Sequence, residues 1–471
     1  MVLLLILAGL ALLLLFLTRN APFRVTPDGA PGPPAVTSIR ELEESEASRD
    51  LVRKASIERH EEDGFLLGIV EFDDQGWFWS PGKPDKPGQL DQVLAEIRCV
   101  AKDRGALILL FTHGWEHNAS VEDSHLACFR EVLRYLAQGE KDGGRNRAVV
   151  GVYLGWRGLS LKIPLIQWAT FWTRKVAAER IGEAQALETL TALEDLDREL
   201  QKSGHPDSRL IILGHSFGGT LLYSALANVF VRRMAGELYA SAPPADGSSA
   251  RSNAIVPGFG DLVVLVNPAF EASRYQALRD ISSRYEFDDR QTPVLLLVSS
   301  ANDAATRLYF PLGRRVSTLF QRTRNRFQSR LMTRTAANYE PFVTHTMKPI
   351  GGPLPRPPRG KRGPCRCETP LRQHLQKRME AEQGRSRKDQ MMVEQRTVER
   401  FDLAAKQTSP TSELVPKKGV APHDPFLVVT ADKQIINGHN GLFNVRLLDF
   451  LLEFVGKTDQ KIEAVGPATV R

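Results

Sequence analysis

Leu210-Ile211-Ile212-Leu213-Gly214-His215-Ser216-Phe217-Gly218-Gly219 is an apolar run that stops at a serine set among glycines. A short continuous apolar run bounded by turn residues reads as a buried strand. Leu221-Leu222-Tyr223-Ser224-Ala225-Leu226-Ala227, just behind it, has the spacing of a helix. The chain therefore passes from strand to helix through one sharp turn with Ser216 at its apex. A turn this tight crowds the positions two before and two after the serine. Gly214 and Gly218 have no side chain to clash there, and Gly219 lets the helix lie close to the sheet. Chemistry asks for the same geometry: a hydroxyl is a weak nucleophile until a base takes its proton, and it must stand clear of the backbone to reach a carbonyl.

Outward from this turn, strands alternate with helices. Phe65 to Phe72 reads as a first strand and Asp73-Asp74-Gln75-Gly76 as a hairpin turn. Leu90 to Ala101, Val121 to Ala137 and Glu183 to Leu200 have helical spacing. Ala106 to Phe111, Val149 to Leu154, Leu262 to Val266, Val294 to Ser299 and Pro425 to Thr430 read as strands, and Leu442 to Val455 as a closing amphipathic helix. This alternation predicts an α/β protein with a mostly parallel central sheet flanked by helices. In such a sheet reactive groups gather at the carboxyl ends of the strands.

Gly214-His215-Ser216-Phe217-Gly218 resembles the nucleophile elbow of the α/β-hydrolase superfamily, particularly its lipases and esterases. The resemblance covers Gly64 to Val455 apart from one insertion. Gly155-Trp156-Arg157-Gly158 and the Gly438-His439-Asn440-Gly441 loop are similar to a poorly characterised branch of serine hydrolases. It implies that Ser216 is followed in chain order by an acid and then a histidine. Asp303, just past the strand that ends in Val298-Ser299, is the implied acid, with Glu271 as the alternative. His439, between the last strand and the last helix, is the implied base, with His345 as the alternative. His113-Gly114, at the end of the strand over 106–111, is similar to an oxyanion loop. Its implied main-chain donors are the N–H groups of Trp115 and Phe217. His113-x-x-Glu116-His117 also spells a zinc motif. That motif requires a helix, which the strand before it and Gly114-Trp115 within it argue against, so no metal and no cofactor is expected. His117 reads as structural, and Asn118 as the cap of the next helix.

Composition sets the remaining bounds. The chain has 471 residues, 62 Lys and Arg against 55 Asp and Glu, and a formal charge of +7. Four cysteines, Cys99, Cys128, Cys365 and Cys367, suggest no disulfide framework. Residues 1–18 are almost wholly apolar and predict a transmembrane anchor or an uncleaved signal, with Arg19 and Arg24 behind it. The positive-inside rule then expects a single-pass membrane protein with a cytoplasmic catalytic domain, an exported one being the alternative. Residues 19–63 read as a Pro-rich tether and a charged helix, and 64–350 with 424–458 as the hydrolase domain. Residues 351–423 read as a basic, partly disordered insertion and 459–471 as a tail. The apolar, aromatic run Leu159 to Trp172, with Trp168 and Trp172 one helical turn apart, reads as a cap over the pocket or a core helix. Basic residues between Arg314 and Arg400 suit anionic lipid, while sparse aromatics and the lack of a recognition motif argue against nucleic acid. The expectation is a membrane-anchored serine hydrolase of small-molecule or lipid carboxylic esters, of unassigned oligomeric state. The alternative is an inactive hydrolase-like module that binds a partner or anionic lipid through its basic segment.

Overall fold

A computed structural model of the chain describes residues 21–25, 35–83, 86–159, 170–240, 255–285, 287–352, 406–409, 411–452 and 454. The strands are β1 (Ala35–Val36), β2 (Ile57–His60), β3 (Phe65–Glu71), β4 (Ala106–Thr112), β5 (Ala148–Gly155) and β6 (Arg209–His215). They continue with β7 (Leu262–Val266), β8 (Leu295–Ser300), β9 (His345–Pro349), β10 (Gln407–Thr408), β11 (Ser412–Pro416) and β12 (Phe426–Ala431). Among the described residues they form one sheet in the order β1-β2-β3-β5-β4-β6-β7-β8-β12-β9-β11-β10. From β3 to β9 every neighbouring pair in that order is parallel. β2 on β3, and β11 and β10 beyond β9, run antiparallel.

The parallel strands from β3 to β8 in that order are buried along their whole length and largely apolar because helices cover both faces of the sheet. Alternate residues of one strand therefore enter different cores. Leu210 and Ile212 join Leu221, Leu222 and Leu226 of the helix Phe217–Ala240 on one face. Ile211 and Leu213 join Phe129 and Leu133 of the helix Ser124–Asp142 on the other. The order reverses around β4, with β5 on one side and β6 on the other. The carboxyl ends of β4 and β6 flank the crevice that such a reversal opens.

Several expectations need correction. The single-pass membrane localisation does not stand: among the described residues no helix is long and apolar enough to cross a membrane. The anchor read at 1–18 lies outside the described residues, as do 160–169 of the apolar run, 353–405 of the insertion and the tail 459–471. Residues 19–63 are not simply a tether, since β1 and β2 extend the sheet and Arg24 is fully buried. Within the insertion, Gln407–Thr408 and Ser412–Pro416 supply β10 and β11. The helix read at 183–200 runs from Gln185 to Lys202, and a separate helix, Phe171–Glu183, that was not read precedes it across Ala184. The helix read from Val121 begins at Ser124, and its cap is Asp123, whose carboxylate accepts from the N–H groups of His125 and Leu126. Asn118 instead accepts from the N–H of Ser120. Cys99 is a free, exposed thiol, whereas Cys128 is disulfide-bonded, a link that the cysteine spacing does not predict.

Candidate active site

Ser216 follows β6 directly and has φ 54°, a left-handed conformation that a side-chain-bearing residue keeps only where its surroundings enforce it. Three main-chain bonds enforce it here. The N–H of Ser216 donates to Val266 O at 3.0 Å, and its carbonyl accepts from the N–H groups of Thr220 and Ala269 at 3.1 and 3.2 Å. The glycines allow the contacts around it. A Cβ on Gly218 would lie 2.2 Å from Thr112 O, and one on Gly214 2.7 Å from the Leu222 side chain.

Beside it, β4 ends in His113-Gly114. A Cβ on Gly114 would lie 2.7 Å from the Ser216 Cβ, so this loop presses its main chain against the serine. The N–H of Trp156 donates to His113 Nε2 at 3.2 Å, which leaves the proton on Nδ1 to donate to Gly114 O at 3.0 Å. The ring stacks on Trp156 with centroids 5.4 Å apart. Burial pushes the His113 imidazole down to about 4, so it is neutral near pH 7. Gly158 closes the loop from the other side, donating to His117 O at 2.9 Å and accepting from the N–H of Glu116 at 3.2 Å. Residues 113–117 are therefore loop, with Glu116 at φ 71°, and lack the helix that a His-x-x-Glu-His metal motif needs. Phe217 begins its helix, so its N–H is one of the first four that find no acceptor within a helix. Trp115 is half-buried, its ring edge-on to Phe171 at 5.4 Å, and Phe171 packs on Phe217 at 4.7 Å.

His439 brings the far end of the chain to this corner. Its Nε2 lies 2.7 Å from Ser216 Oγ, and its Nδ1 lies 2.9 Å from Asp303 Oδ2. Asp303 is fully buried and also accepts from Thr306 Oγ1 at 2.5 Å and the Ala305 N–H at 2.8 Å. Burial works to raise its carboxyl, but the hydrogen bond and charge of His439, with the Thr306 donors, outweigh it and hold the group below the usual range. The alternatives lie elsewhere. Glu271 caps the helix Ala272–Ser282 and pairs with Lys175 at 3.1 Å and Arg314 at 2.9 Å. His345 is buried in β9, its Nδ1 2.9 Å from Thr344 Oγ1.

Two side chains that the motif reading did not single out as site residues hold the His439 loop. His215 Nε2–H donates to His439 O at 2.9 Å, and Asn267 Nδ2 donates to the same oxygen at 2.8 Å. Asn267, at φ 47° just past β7, accepts the N–H of Ser300 on its Oδ1 at 2.8 Å, which fixes the orientation of its amide. Ser300 Oγ lies 2.7 Å from Ile436 O, and Asn302 Oδ1 accepts the Gly438 N–H at 2.8 Å. Burial, then the neighbouring His439, hold the His215 imidazole well below its ordinary range, so it meets the base as a neutral donor. The available signal was position: Asn267 and Ser300 stand at the carboxyl ends of β7 and β8, the next two strands along the sheet from the one that carries the serine.

No family model matches the chain, and no curated protein matches it. Among solved structures it is similar to phospholipase PlaB from Legionella pneumophila, at 13% identity and a TM-score of 0.24, over 52% of this chain and 47% of that one. It is also similar to a Trichoderma reesei cutinase in complex with a C11Y4 phosphonate inhibitor, at 14% identity and a TM-score of 0.16, over 38% of this chain and 64% of that one. The chain thus spans about half the length of the first and under two thirds of the second. Likenesses at this level carry no argument about fold or activity, which rest on the sheet and the geometry above.

Proposed function

We propose that the chain is a serine hydrolase, similar to the lipases and esterases of the α/β-hydrolase superfamily, that cleaves carboxylic esters through an acyl-enzyme on Ser216. The observation that supports this most is the unbroken line from Ser216 Oγ through both ring nitrogens of His439 to Asp303, with steps of 2.7 and 2.9 Å. In this reading Ser216 Oγ attacks the ester carbonyl while His439 Nε2 takes its proton. Asp303 keeps the other ring proton on Nδ1 and stabilises the imidazolium that forms. The N–H groups of Phe217 and Trp115 receive the developing oxyanion, in a loop that His113 and Gly114 press against the serine. His439 returns its proton to the departing alcohol. Water, deprotonated by the same imidazole, then releases the acid and restores Ser216.

The substrate in this reading is a small-molecule or lipid ester. Thioesters and amides meet the same machinery. The test is Ser216→Ala in the full chain, assayed for p-nitrophenyl ester turnover and for labelling by a fluorophosphonate probe. Both are expected to vanish, turnover by at least about a thousandfold. Undiminished labelling overturns the proposal. A folded wild-type chain that neither turns over esters nor takes the probe favours the binding module instead.

A further inference from the structure

Past Asp303 the chain forms a turn, Ala305–Tyr309, and two helices, Phe310–Ser317 and Arg326–Thr333. Their inner side is packed. Phe310 is buried against Trp172 at 5.7 Å, and Gly313 lies so close to that indole that a Cβ would sit 2.4 Å from it. Arg314 stacks over the same ring at 5.9 Å and pairs with Glu271. Among the described residues, the outer side is apolar and exposed. Leu308, Leu312 and Val316 recur every four residues along one face, at 52%, 49% and 75% exposure, and Leu319 and Phe320 continue the face at 72% and 96%. Phe327 on the next helix is 54% exposed. An isolated exposed leucine needs no explanation, but a run of them ending in a nearly naked phenylalanine does.

The same surface carries charge of one sign. From residue 304 to residue 339 there are eight arginines, no lysine and no Asp or Glu. Seven of the arginines are exposed.

We infer that this face, Leu308 to Arg330, is a seat for an anionic lipid bilayer. Exposed leucine, valine and phenylalanine enter the acyl boundary while arginines beside them meet lipid phosphates. A nucleic acid offers nothing to Leu312, Val316 and Leu319, and an acidic protein surface offers little more. The seat adjoins the candidate site: Trp172 lies beneath it, and the neighbouring Phe171 packs on Phe217, the residue after Ser216. Its purpose, bringing a lipid ester to that serine from the bilayer, rests on the hydrolase reading. The seat itself does not.

The experiment is sedimentation of the full chain, as the Ser216→Ala form so that no lipid is consumed. The vesicles are phosphatidylcholine alone, or phosphatidylcholine with about a third phosphatidylserine. Two variants accompany it, L319S/F320S and R322Q/R324Q/R326Q. Met1 to Leu17 are common to all forms, so differences between lipids and variants report the seat. The expected result is preference for the anionic vesicles. The triple arginine variant should bind them about a hundredfold more weakly, at roughly fivefold per arginine. The apolar variant should bind at least about tenfold more weakly. Turnover of a soluble short-chain ester, measured with Ser216 intact, should not change in either variant. Equal binding to both vesicles, or loss in the arginine variant alone, overturns the seat. A chain with Ser216 intact that fails to turn over the ester, while the Ser216→Ala form sediments as expected, overturns the hydrolase reading and leaves the seat standing.

Discussion

His439 is held at three atoms: both ring nitrogens face its partners in the proposed triad, and its carbonyl oxygen takes two side-chain donors. The ring can keep a hydrogen-bonding line to Ser216 only if the loop beneath it stays within a fraction of an ångström, because misplacement by about 1 Å costs on the order of a hundredfold in rate. Asn267 is the stronger of the two loop restraints, since its amide bridges Ser300 of β8 and His439. Asn267→Gly accepts the left-handed backbone at that position and removes the whole amide, the donor to His439 O together with the acceptor of the Ser300 N–H. It is expected to lower kcat for a soluble ester by about tenfold to a hundredfold while leaving KM within about twofold. A rise in KM with kcat unchanged would show that Asn267 acts on binding instead. The positions of Ser216, Asp303 and His439 were legible because each follows a buried apolar strand. Asn267 was not, because Asn267-Pro268 at a strand end reads first as a place where the strand stops.

Between residues and fold, the strand, turn and helix around Ser216 form the element on which the site depends most. The helix Phe217–Ala240 starts within contact distance of the end of β4, and Gly218 is where the two backbones meet. Gly218→Ala would place a methyl 2.2 Å from Thr112 O and 2.6 Å from His113 O, both main-chain atoms with little room to move. The turn must back away from β4, which separates the Phe217 N–H from the His113-Gly114 loop. The variant is expected to lose about 1–3 kcal/mol of stability by urea unfolding, the usual range for overpacking. Its loss of ester turnover should be larger than that loss of stability explains. Central strands such as β4 and β6 were legible because burial on both faces leaves an uninterrupted apolar signature. β1, β2 and the antiparallel set β9, β11 and β10 were not, being short, partly polar and at the margins of the sheet, where neighbours rather than local sequence decide pairing. The helix Phe171–Glu183 was not legible either, since its aromatic start reads first as the end of the apolar run before it.

Taken as one object, the protein buries ionisable groups of both signs away from the candidate site. Arg24 donates to Ala119 O at 2.7 Å and pairs with Glu58 at 3.0 Å. Glu58 also takes both arms of Arg130 at 2.9 Å. Burial works against the Glu58 carboxylate, but the two guanidinium groups hold it well below its usual range. Histidines carry the opposite sign. His113, His125 and His215 are neutral in the fold because burial depresses them, while the unfolded chain takes up protons on them below about pH 6.5. Stability from His113 is therefore full above that pH. It declines by about 1.4 kcal/mol per unit as pH falls towards about 4. Asp197, pushed up to about 7 by burial and then by Asp261, works the other way, since the fold keeps a proton there that the unfolded chain has shed. Comparing wild type with His113→Gln cancels that common contribution. Urea unfolding at about pH 7.5 and about pH 5 should show wild type losing about 2 kcal/mol more than the variant between the two. Equal losses would mean that His113 is not neutral in the fold.

β12 lies between β8 and β9, and an excursion in sequence, residues 350–425 with β10 and β11, separates it from β9 along the chain. Ser216 and Asp303 precede that excursion, and His439 follows it. A protease cutting within the excursion would yield two polypeptides, neither able to assemble the three side chains alone. The later one would be clasped on both flanks by strands of the earlier. What keeps the imidazole beside the hydroxyl is thus the weave of the sheet, and a nicked molecule retains it for as long as the weave holds.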